Sequence, residues 1–309
     1  MRVIFMGTPE FSVPCLERLI NMNVEVVGVF TQPDKPKGRG YQLAPTPVKE
    51  KALQYNIEVF QPNSLKNDEV IRKIRDFSPD IIVVVAYGKI LPKAVLDIPR
   101  FGCINVHASL LPKYRGAGPI QWCVINGEKE TGVTTMYMAE GLDTGDMILK
   151  KSTPISKDET AGELHDRLSL LGADCLEETI NLFLENKPVP RTVQDDSLSC
   201  YAPMLDKSLC KLDFSKTAEE LHNLVRGLSP WPVAVTSLDG KTLKVHKTAV
   251  TDIPAKQEGK VVIVDNRLCV GCSDFLLEIL QVQLEGKKSM SAKDFMLGHR
   301  ISADTILGK

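Results

Sequence analysis

The chain has 309 residues, of which 43% are hydrophobic and 25% are charged. This composition is ordinary for a globular protein, and the length predicts two domains rather than one. The formal net charge of −1 gives no sign of a uniformly basic nucleic-acid binder, and no apolar run approaches the roughly 18 residues of a membrane span.

The start of the chain carries the pattern of a βαβ unit. Residues 2–6 form a short apolar run typical of a strand rather than a signal peptide, residues 13–20 have helical periodicity, and residues 24–30 form a second apolar run. A strand, a helix and a strand in this order predict a parallel sheet. The first turn contains only Gly7, whereas a dinucleotide-binding turn needs three glycines, so NAD binding is not expected.

Residues 31–49 interrupt this pattern with four prolines and two glycines. The segment also carries the cations Lys35, Lys37, Arg39 and Lys49. Such a composition predicts a long exposed loop, and loops of this length tend to be functional or disordered. The residues alone leave two interpretations open, a solvated insertion and a segment that binds a ligand.

Residues 80–88 contain a continuous apolar, β-branched run, which predicts a central parallel strand buried on both faces. The run ends at Ala86, Tyr87 and Gly88. A second buried strand, predicted over residues 103–107, should lie beside it. Because ligands of open α/β sheets bind where the carboxyl ends of strands converge, both strand ends are expected to line one cleft.

Three polar side chains near the second strand end form a candidate catalytic group. Asn105 and His107 are two residues apart, so on a strand both side chains point to the same face. Asp143 follows further along the chain, between Gly141 and Gly145. Each of these polar residues alone would more often be structural. Together they offer an amide donor for an oxyanion, a proton carrier and a carboxylate.

The rest of the chain divides at a connector. A helical segment begins near Asp158, and the first domain is expected to close near Asn186. Residues 188–204 contain Pro, Ser and Asp, as connectors often do. A helix over residues 217–226 and several short alternating strands follow, which predict a small β-barrel domain. The lysines of this domain fit either an ordinary solvated face or a phosphate-binding track.

Eight cysteines are scattered along the chain, and only Cys269 and Cys272 have the spacing of a metal or redox pair. A zinc site would need a second such pair, and Cys200 and Cys210 have the wrong gap. We therefore expect the cysteines to pack as small hydrophobic residues, with no metal site. A cytoplasmic location is the expectation for such a chain.

The residues from Asn105 to Pro112 read Asn-Val-His-Ala-Ser-Leu-Leu-Pro, and those from Gly141 to Gly145 read Gly-Leu-Asp-Thr-Gly. This pair of motifs resembles the signature of folate-dependent formyltransferases, and the similarity runs over nearly the whole chain. The resemblance implies an α/β fold with a Rossmann-like open, mainly parallel sheet and helices on both faces, followed by an OB-like β-barrel. It implies three parts: a catalytic domain over residues 1–187, a linker over 188–204 and an OB-like tRNA-binding domain over 205–309.

Within that family the chain is most similar to the members that act on methionine carried by initiator tRNA. The implied reaction transfers a formyl group from 10-formyltetrahydrofolate, the formyl-donor co-substrate, to the α-amino group of that methionine. Asn105, His107 and Asp143 would be the catalytic residues, with either His107 or Asp143 as the main proton acceptor. The implied protein is a monomer that binds folate and initiator methionyl-tRNA, with no metal and no membrane.

The resemblance also implies contact residues. The folate contacts would lie at the two strand ends and in the loop of Asp143: Ala86, Tyr87, Gly88, Ser109, Leu110, Leu111, Pro112 and Gly141. The contacts with the tRNA and its methionine would lie in the basic segment and the first turn: Lys35, Lys37, Arg39 and Phe11. Arg39 would be the chief contact, because the glycines on either side let the backbone approach a phosphate.

Other functions fit part of the chain. Glycinamide ribonucleotide formyltransferases share the Asn/His/Asp group but have a single domain, and sugar-nucleotide formyltransferases would not require an OB-like tail. Formyltetrahydrofolate hydrolases and dehydrogenases use a similar domain, and the dehydrogenases add a far larger reductase-type domain. A non-catalytic RNA-binding protein would leave Asn105, His107 and Asp143 unexplained and should not bind folate.

Overall fold

The computed structural model describes residues 1–37, 42–299, 301–302 and 304–308 of the chain. The helices are α1 (Val13–Asn21), α2 (Pro47–Gln54), α3 (Asp68–Asp76), α4 (Lys93–Leu96), α5 (Pro119–Ile125), α6 (Ala161–Leu184), α7 (Ala218–Gly227) and α8 (Ala292–Gly298). The strands are β1 (Arg2–Gly7), β2 (Glu25–Phe30), β3 (Lys35–Lys37), β4 (Gln42–Ala44), β5 (Val59–Phe60), β6 (Ile81–Val85), β7 (Cys103–His107), β8 (Arg115–Gly116), β9 (Glu130–Tyr137), β10 (Met147–Pro154), β11 (Tyr201–Ala202), β12 (Ala234–Leu238), β13 (Lys241–Pro254), β14 (Val261–Val264), β15 (Arg267–Gly271), β16 (Phe275–Leu284) and β17 (Met290–Ser291). In this described part of the chain, no helix is both long and apolar enough to cross a membrane.

Seven strands form one sheet in the order β10-β9-β7-β6-β1-β2-β5. Strands β1, β2, β5, β6 and β7 pair in parallel, and β9 is antiparallel to β7. Helix α1 joins the parallel pair β1 and β2, which confirms the predicted βαβ unit. All five residues of β6 are buried, as expected for a β-branched run in the middle of a parallel sheet.

Helices cover both faces of this sheet. Cys103 of β7 packs in one hydrophobic cluster with Ile74 of α3 and Val95 of α4. Because side chains alternate along a strand, Val106 faces the opposite side. Helix α6 approaches β7 on that side, since a Cβ at Gly172 would lie 3.2 Å from Val106 Cγ1. The predicted α/β class, with a mainly parallel sheet between helices, is confirmed.

The predicted long loop over residues 31–49 is wrong in part. Strands β3 and β4 pair in antiparallel fashion, and α2 begins at Pro47. The Lys49 ammonium group lies 2.6 Å from the Asp34 carboxylate, so this cation is paired rather than fully exposed. The proline and glycine content of this segment gives no strand pattern, because both residue types are depleted in strands.

The central strand is shorter than the sequence predicts. Strand β6 ends at Val85, although the apolar run continues to Tyr87. Ala86 has a φ of 45° and Gly88 a φ of 78°, so the backbone leaves the extended conformation at once. A left-handed alanine is unfavourable, and such residues are concentrated at functional sites.

The chain forms two compact units. The first consists of Met1–Gly116, Thr131–Thr153 and His165–Tyr201, and the second of Ala117–Glu130, Pro154–Leu164 and Ala202–Lys309. The second unit therefore includes two segments that precede the predicted linker. The predicted division into a catalytic domain (1–187), a linker (188–204) and a tRNA-binding domain (205–309) is a division by function, and it stays a prediction.

In the second unit, five strands form an antiparallel sheet in the order β12-β13-β16-β15-β14, and β17 pairs with β16. Helix α7 begins at a capping box, in which the Thr217 hydroxyl accepts from the Glu220 N–H and the Glu220 carboxylate accepts from the Thr217 N–H. Leu221 and Val225 of this helix pack in one core with Leu243 of the sheet. The predicted C-terminal β domain is confirmed, whereas its closure into an OB-like barrel stays a prediction.

Candidate active site

Strand β7 carries Asn105 and His107 to the carboxyl end of the parallel strands. Its register pairs Asn105 with Val84 of β6 and His107 with Thr134 of β9. The end of β6 therefore lies beside the polar end of β7, as predicted. His107 is 6% exposed and Asn105 is half-buried. The Asn105 side-chain amide has no hydrogen-bond partner among the residues that the structure describes.

The imidazole of His107 is held at one nitrogen. Its Nε2–H donates to the carbonyl oxygen of Tyr114 at 2.9 Å. Its Nδ1 lies 3.7 Å from Asp143 Oδ2, which is beyond hydrogen-bond length but close enough for a charge interaction. With Nε2 acting as the donor, Nδ1 is the nitrogen that can accept a proton. Tyr114 itself has a φ of 61°, a costly conformation that its surroundings must maintain.

The loop of Asp143 presents its carboxylate to His107. Asp143 has a φ of 51°, and its Oδ2 accepts a hydrogen bond from the Gly116 N–H at 2.9 Å. The carboxylate side chain is only 13% exposed. Gly145 is required nearby, because a Cβ there would lie 1.8 Å from the carbonyl oxygen of Tyr137. The structure thus brings together the three residues that the sequence suggested as one catalytic group.

Two residues without a sequence signal support this loop. The Gln194 amide nitrogen donates to the carbonyl oxygens of Asp143 and Gly145, each at 2.8 Å. The Gln194 amide oxygen accepts from Nε and Nη2 of Arg115 at 3.0 and 2.9 Å. Gln194 lies 51 residues after Asp143, in the segment predicted as a linker, and no motif marks it.

The three residues predicted to contact folate at the end of β6 differ in exposure. Ala86 and Gly88 are exposed. The Tyr87 side chain is 1% exposed within a hydrophobic cluster, and burial raises the pKa of its hydroxyl to about 12. The Tyr87 carbonyl oxygen accepts from Thr8 Oγ1 and Gln32 Nε2, both at 3.1 Å. Ala86 and Gly88, rather than the Tyr87 ring, are therefore accessible to a ligand.

The segment after β7 forms a tight turn. Ser109 Oγ donates to the carbonyl oxygen of Lys113 at 2.6 Å. Thr134 Oγ1 donates to the Ser109 carbonyl oxygen at 2.7 Å and accepts from the Leu111 N–H at 3.2 Å. Leu111 is buried, and its carbonyl oxygen accepts from the Lys150 ammonium group. The other predicted folate contacts are more accessible: Leu110, Pro112 and Gly141.

The residues predicted to contact the tRNA are only partly described. Lys35 is exposed on β3. Lys37 ends that strand, with a side chain outside the described part, and Arg39 lies wholly outside the described residues. Phe11 is 5% exposed, and its ring centroid lies 5.3 Å from that of His165.

A polar network lies at the base of the β3–β4 hairpin. Lys49 Nζ donates to Asp34 at 2.6 Å and to Gln61 Oε1 at 2.8 Å. Gln61 Nε2 donates to the Gln32 carbonyl oxygen at 2.8 Å. Gln32 Nε2 in turn donates to the carbonyl oxygen of Gly88 at 3.0 Å. The base of the basic hairpin is therefore connected to the end of β6.

Metal ligation receives no support from the described residues, in which no group of three or more His, Cys, Asp or Glu side chains is arranged to hold an ion. Cys269 and Cys272 are buried free thiols. Burial raises the pKa of the Cys269 thiol to about 11 and that of Cys272 to about 12, which disfavours the thiolate that metals bind. Cys272 packs within the hydrophobic core of the second unit.

A Rossmann-like sheet that gathers an amide, an imidazole and a carboxylate at its strand ends has the features of a group-transfer enzyme, because these groups stabilise an oxyanion and move protons. Two family models match the chain: Formyl transferase over residues 1–180 and Formyl transferase, C-terminal domain, over residues 204–300. The chain belongs to the formyl transferase family of enzymes. The family predicted from the two motifs is thereby confirmed.

The chain is similar to named relatives over its full length. The methionyl-tRNA formyltransferase of Alkaliphilus oremlandii (strain OhILAs) is 54% identical, and the alignment covers 100% of both chains. The methionyl-tRNA formyltransferase of Geotalea uraniireducens (strain Rf4) is 52% identical, with 100% of this chain and 98% of the relative covered.

Solved structures share the fold. An N-formyltransferase from Helicobacter canadensis in complex with folinic acid and dTDP-3-aminofucose has a TM-score of 0.66 at 21% identity, covering 90% of this chain and 98% of that one. HypX from Aquifex aeolicus in complex with tetrahydrofolic acid has a TM-score of 0.62 at 16% identity, covering 96% of this chain and 47% of that one. At these identities the similarity establishes the fold alone.

Proposed function

We propose that this protein transfers a formyl group from 10-formyltetrahydrofolate to the α-amino group of methionine on initiator tRNA, for translation initiation. The acceptor is supported by the full-length relatives named methionyl-tRNA formyltransferase, which are 54% and 52% identical. The folate donor is supported by the structural neighbours that hold tetrahydrofolic acid and folinic acid. The second family match, over residues 204–300, is a C-terminal formyl transferase domain that a single-domain enzyme would lack.

The observation that carries the proposal is the geometry around His107. A buried imidazole has one nitrogen fixed by Tyr114 and the other 3.7 Å from the Asp143 carboxylate. Beside it, the Asn105 amide has no partner among the described residues. An open donor next to a poised proton carrier suits an oxyanion that exists only during the reaction.

Asn105 would act on the formyl oxygen. The attacking amine must be unprotonated, and free α-amino groups have a pKa of about 7.7–8.0, so a useful fraction is neutral at physiological pH. As the amine attacks, the formyl oxygen gains negative charge, and the Asn105 amide would donate a hydrogen bond to it. One such donor contributes about 2.7–4 kcal/mol in comparable acyl transfers.

We assign the proton transfer to Nδ1 of His107. Nε2–H is committed to Tyr114, so Nδ1 would take the proton that leaves the attacking nitrogen. The Asp143 carboxylate would stabilise the resulting imidazolium across 3.7 Å. A proton then returns to the nitrogen of the folate product as its bond to the formyl carbon breaks, so that the formyl group is exchanged for a proton. Asp143 as the base is the competing assignment, and its variants separate the two.

The binding surfaces are part of the same proposal. Folate would bind against residues 86–88, residues 109–112 and Gly141, and the exposure of Ala86 and Gly88 supports this choice. The cations Lys35, Lys37 and Arg39 suit tRNA phosphates, and Phe11 would border the methionine pocket.

We further propose that residues 1–187 form the catalytic part, that 188–204 link it to the rest, and that 205–309 form an OB-like tRNA-binding domain. A cytoplasmic monomer is the proposed working form. The second boundary is supported by the C-terminal family model, which begins at residue 204, and by the second compact unit, whose last segment begins at Ala202.

Formyl transfer from 10-formyltetrahydrofolate to three parallel acceptors tests the function. The acceptors are methionyl initiator tRNA, methionyl elongator tRNA and glycinamide ribonucleotide. We expect strong preference for the initiator tRNA. Transfer only to the small amine would preserve the Asn105, His107 and Asp143 chemistry but contradict the assignment of the hairpin and the C-terminal domain. No transfer to any of them would contradict the proposed function.

A further inference from the structure

The side-chain amide of Gln194 is buried, and both its nitrogen and its oxygen are hydrogen-bonded within the protein. It is 7% exposed, and its nitrogen donates to the Asp143 and Gly145 carbonyl oxygens at 2.8 Å each. Its oxygen accepts two hydrogen bonds from the Arg115 guanidinium. Carbonyl oxygens on one side and N–H donors on the other allow only one orientation of this amide.

The segment that holds Gln194 from its oxygen side also holds the catalytic groups. Arg115 lies between Tyr114, whose carbonyl oxygen accepts from His107, and Gly116, whose N–H donates to Asp143. The Arg115 N–H donates to the Cys200 carbonyl oxygen at 2.9 Å, which ties this segment to the connector that carries Gln194. The imidazole and the carboxylate are thus held by Tyr114 and Gly116, the two neighbours of Arg115, and Gln194 holds the Asp143 loop from the other side.

We propose that Gln194 is a positioning residue for the formyl transfer proposed above, on which this inference rests. Its two N–H groups hold the carbonyl oxygens of Asp143 and Gly145, so that the Asp143 carboxylate remains opposite His107 Nδ1. Arg115 orients the Gln194 amide. Asp143 has a positive φ, so its loop needs outside contacts to remain in this conformation.

Two substitutions separate positioning from packing. Gln194→Glu keeps the shape and the oxygen that Arg115 binds, but it sets a carboxylate against two carbonyl oxygens. Gln194→Met keeps the volume and removes the hydrogen bonds of the amide with Arg115, Asp143 and Gly145. For both variants we expect kcat to fall about 10- to 100-fold, because a misplacement of about 1 Å costs on this order, with KM for tRNA and folate within about twofold.

The pH profile gives a readout that a purely structural role would not produce. As the pH falls, a protonated carboxyl at position 194 regains one donor, so kcat of Gln194→Glu should rise relative to that of Gln194→Met. Asp196→Asn is the matched control, since Asp196 binds Arg115 at 2.8 Å but is 83% exposed. This control should remain within about twofold of the wild-type kcat. Wild-type kcat in Gln194→Glu at neutral pH would overturn the inference, as would parallel pH profiles of the two Gln194 variants.

A second readout does not depend on formyl transfer. Nitrogen-15 spectra of the imidazole groups, with His107 assigned by His107→Gln, report the surroundings of that ring in the full chain. We expect Asp143→Asn and Gln194→Glu to shift the His107 resonances, and Asp196→Asn to leave them in place. If the resonances shifted in a protein that showed no formyl transfer, the proposed function would be wrong, but the role of Gln194 in holding Asp143 opposite His107 would stand. If the wild type transferred the formyl group but Gln194→Glu did not shift the His107 resonances, the positioning role alone would be wrong.

Discussion

Two histidines are buried among the residues that the structure describes, and they differ in the partners of their ring nitrogens. The side chains of His107 in the first unit and His222 in the second are 6% and 5% exposed. Each Nε2 faces a backbone carbonyl oxygen, that of Tyr114 at 2.9 Å and that of Lys157 at 3.3 Å. Each ring also has a carboxylate within 3.7 Å, so burial and a nearby acid do not distinguish them.

The two rings differ in the partner of Nδ1. His222 Nδ1 is hydrogen-bonded to Thr248 Oγ1 at 3.0 Å, which gives that ring a partner on both sides. His107 Nδ1 lies beyond hydrogen-bond distance from Asp143, and the Asn105 amide beside it is open within the described structure. A buried imidazole with a fixed side and an open side is suited to carry a proton, whereas a fully paired one is suited to hold a helix in place.

The largest expected effect comes from His107→Ala. We expect kcat for formyl transfer to fall on the order of 10³-fold or more, because the variant loses the proton carrier and its charge. Folate and initiator tRNA should still bind, which equilibrium binding to the purified variant would check. His222→Gln, at the other buried histidine, is the matched control. A retained rate would remove His107 from the mechanism.

Asn105→Ala should lower kcat by about 10² to 10³-fold, the usual cost of one oxyanion donor. Asn105→Asp sharpens the test, because it keeps the shape and replaces the donor by a negative charge. The two variants should be similarly slow at saturating substrates. If the aspartate variant were as fast as the wild type, donation from this amide would not be part of the reaction.

Asp143→Asn should have a smaller effect than His107→Ala, about 10²-fold in kcat. The amide oxygen can still accept from the Gly116 N–H, so the loop should remain, while the negative charge opposite the imidazolium is lost. The rates of both variants should be measured across the same pH range. If Asp143→Asn were as inactive as His107→Ala at every pH, the carboxylate would be the better assignment for the base.

Lys35→Ala should raise KM for tRNA by about threefold to tenfold and leave KM for folate unchanged. One lost phosphate contact should also reduce the slope of log affinity against log salt by about 0.7–0.9. Arg39→Ala should act in the same direction with a larger effect. Lys51→Ala is the matched control, because Lys51 on α2 is paired with Glu17 at 2.6 Å. A defect confined to folate would count against the hairpin as a tRNA-binding element.

The smallest effect concerns stability. Burial lowers the pKa of His222 below its ordinary value of about 6.5, so the unfolded state binds more protons in this range. The free energy of unfolding should therefore be independent of His222 above about pH 6.5 and decrease as the pH falls below that value. His222→Gln should flatten this decrease in thermal unfolding of the full chain and leave kcat unchanged. His246, whose pKa burial also lowers, accounts for part of the remaining slope.

The features that the sequence predicted correctly depend on patterns within short segments of the chain. The β-branched run of β6 and the helical periodicity of α1 predicted buried elements, and the spacing of Asn105 and His107 placed both on one face. These features depend on residues that are neighbours in the sequence. The predicted end of β6 lies beyond its actual end at Val85, because the apolar sequence continues to Tyr87 although the backbone turns at Ala86.

The parts that could not be predicted depend on contacts that the residue types involved do not indicate. Gln194 reaches Asp143 across 51 positions, and nothing in its own surroundings identifies that contact. The Tyr114 carbonyl oxygen that fixes His107 is a backbone group, and such a group has no sequence signature. The hairpin was missed because β3 contains Pro36, and proline is unusual within strands.

The most direct measurement is a single-turnover formyl transfer to methionyl initiator tRNA, made in parallel with thermal unfolding, for the wild type, His107→Ala and His222→Gln. We expect His107→Ala to lose the rate and keep the unfolding temperature. We expect His222→Gln to keep the rate and change only the pH dependence of unfolding. If His107→Ala transferred the formyl group at the wild-type rate, or if both variants lost the rate equally, the open nitrogen of His107 would not be the centre of the chemistry.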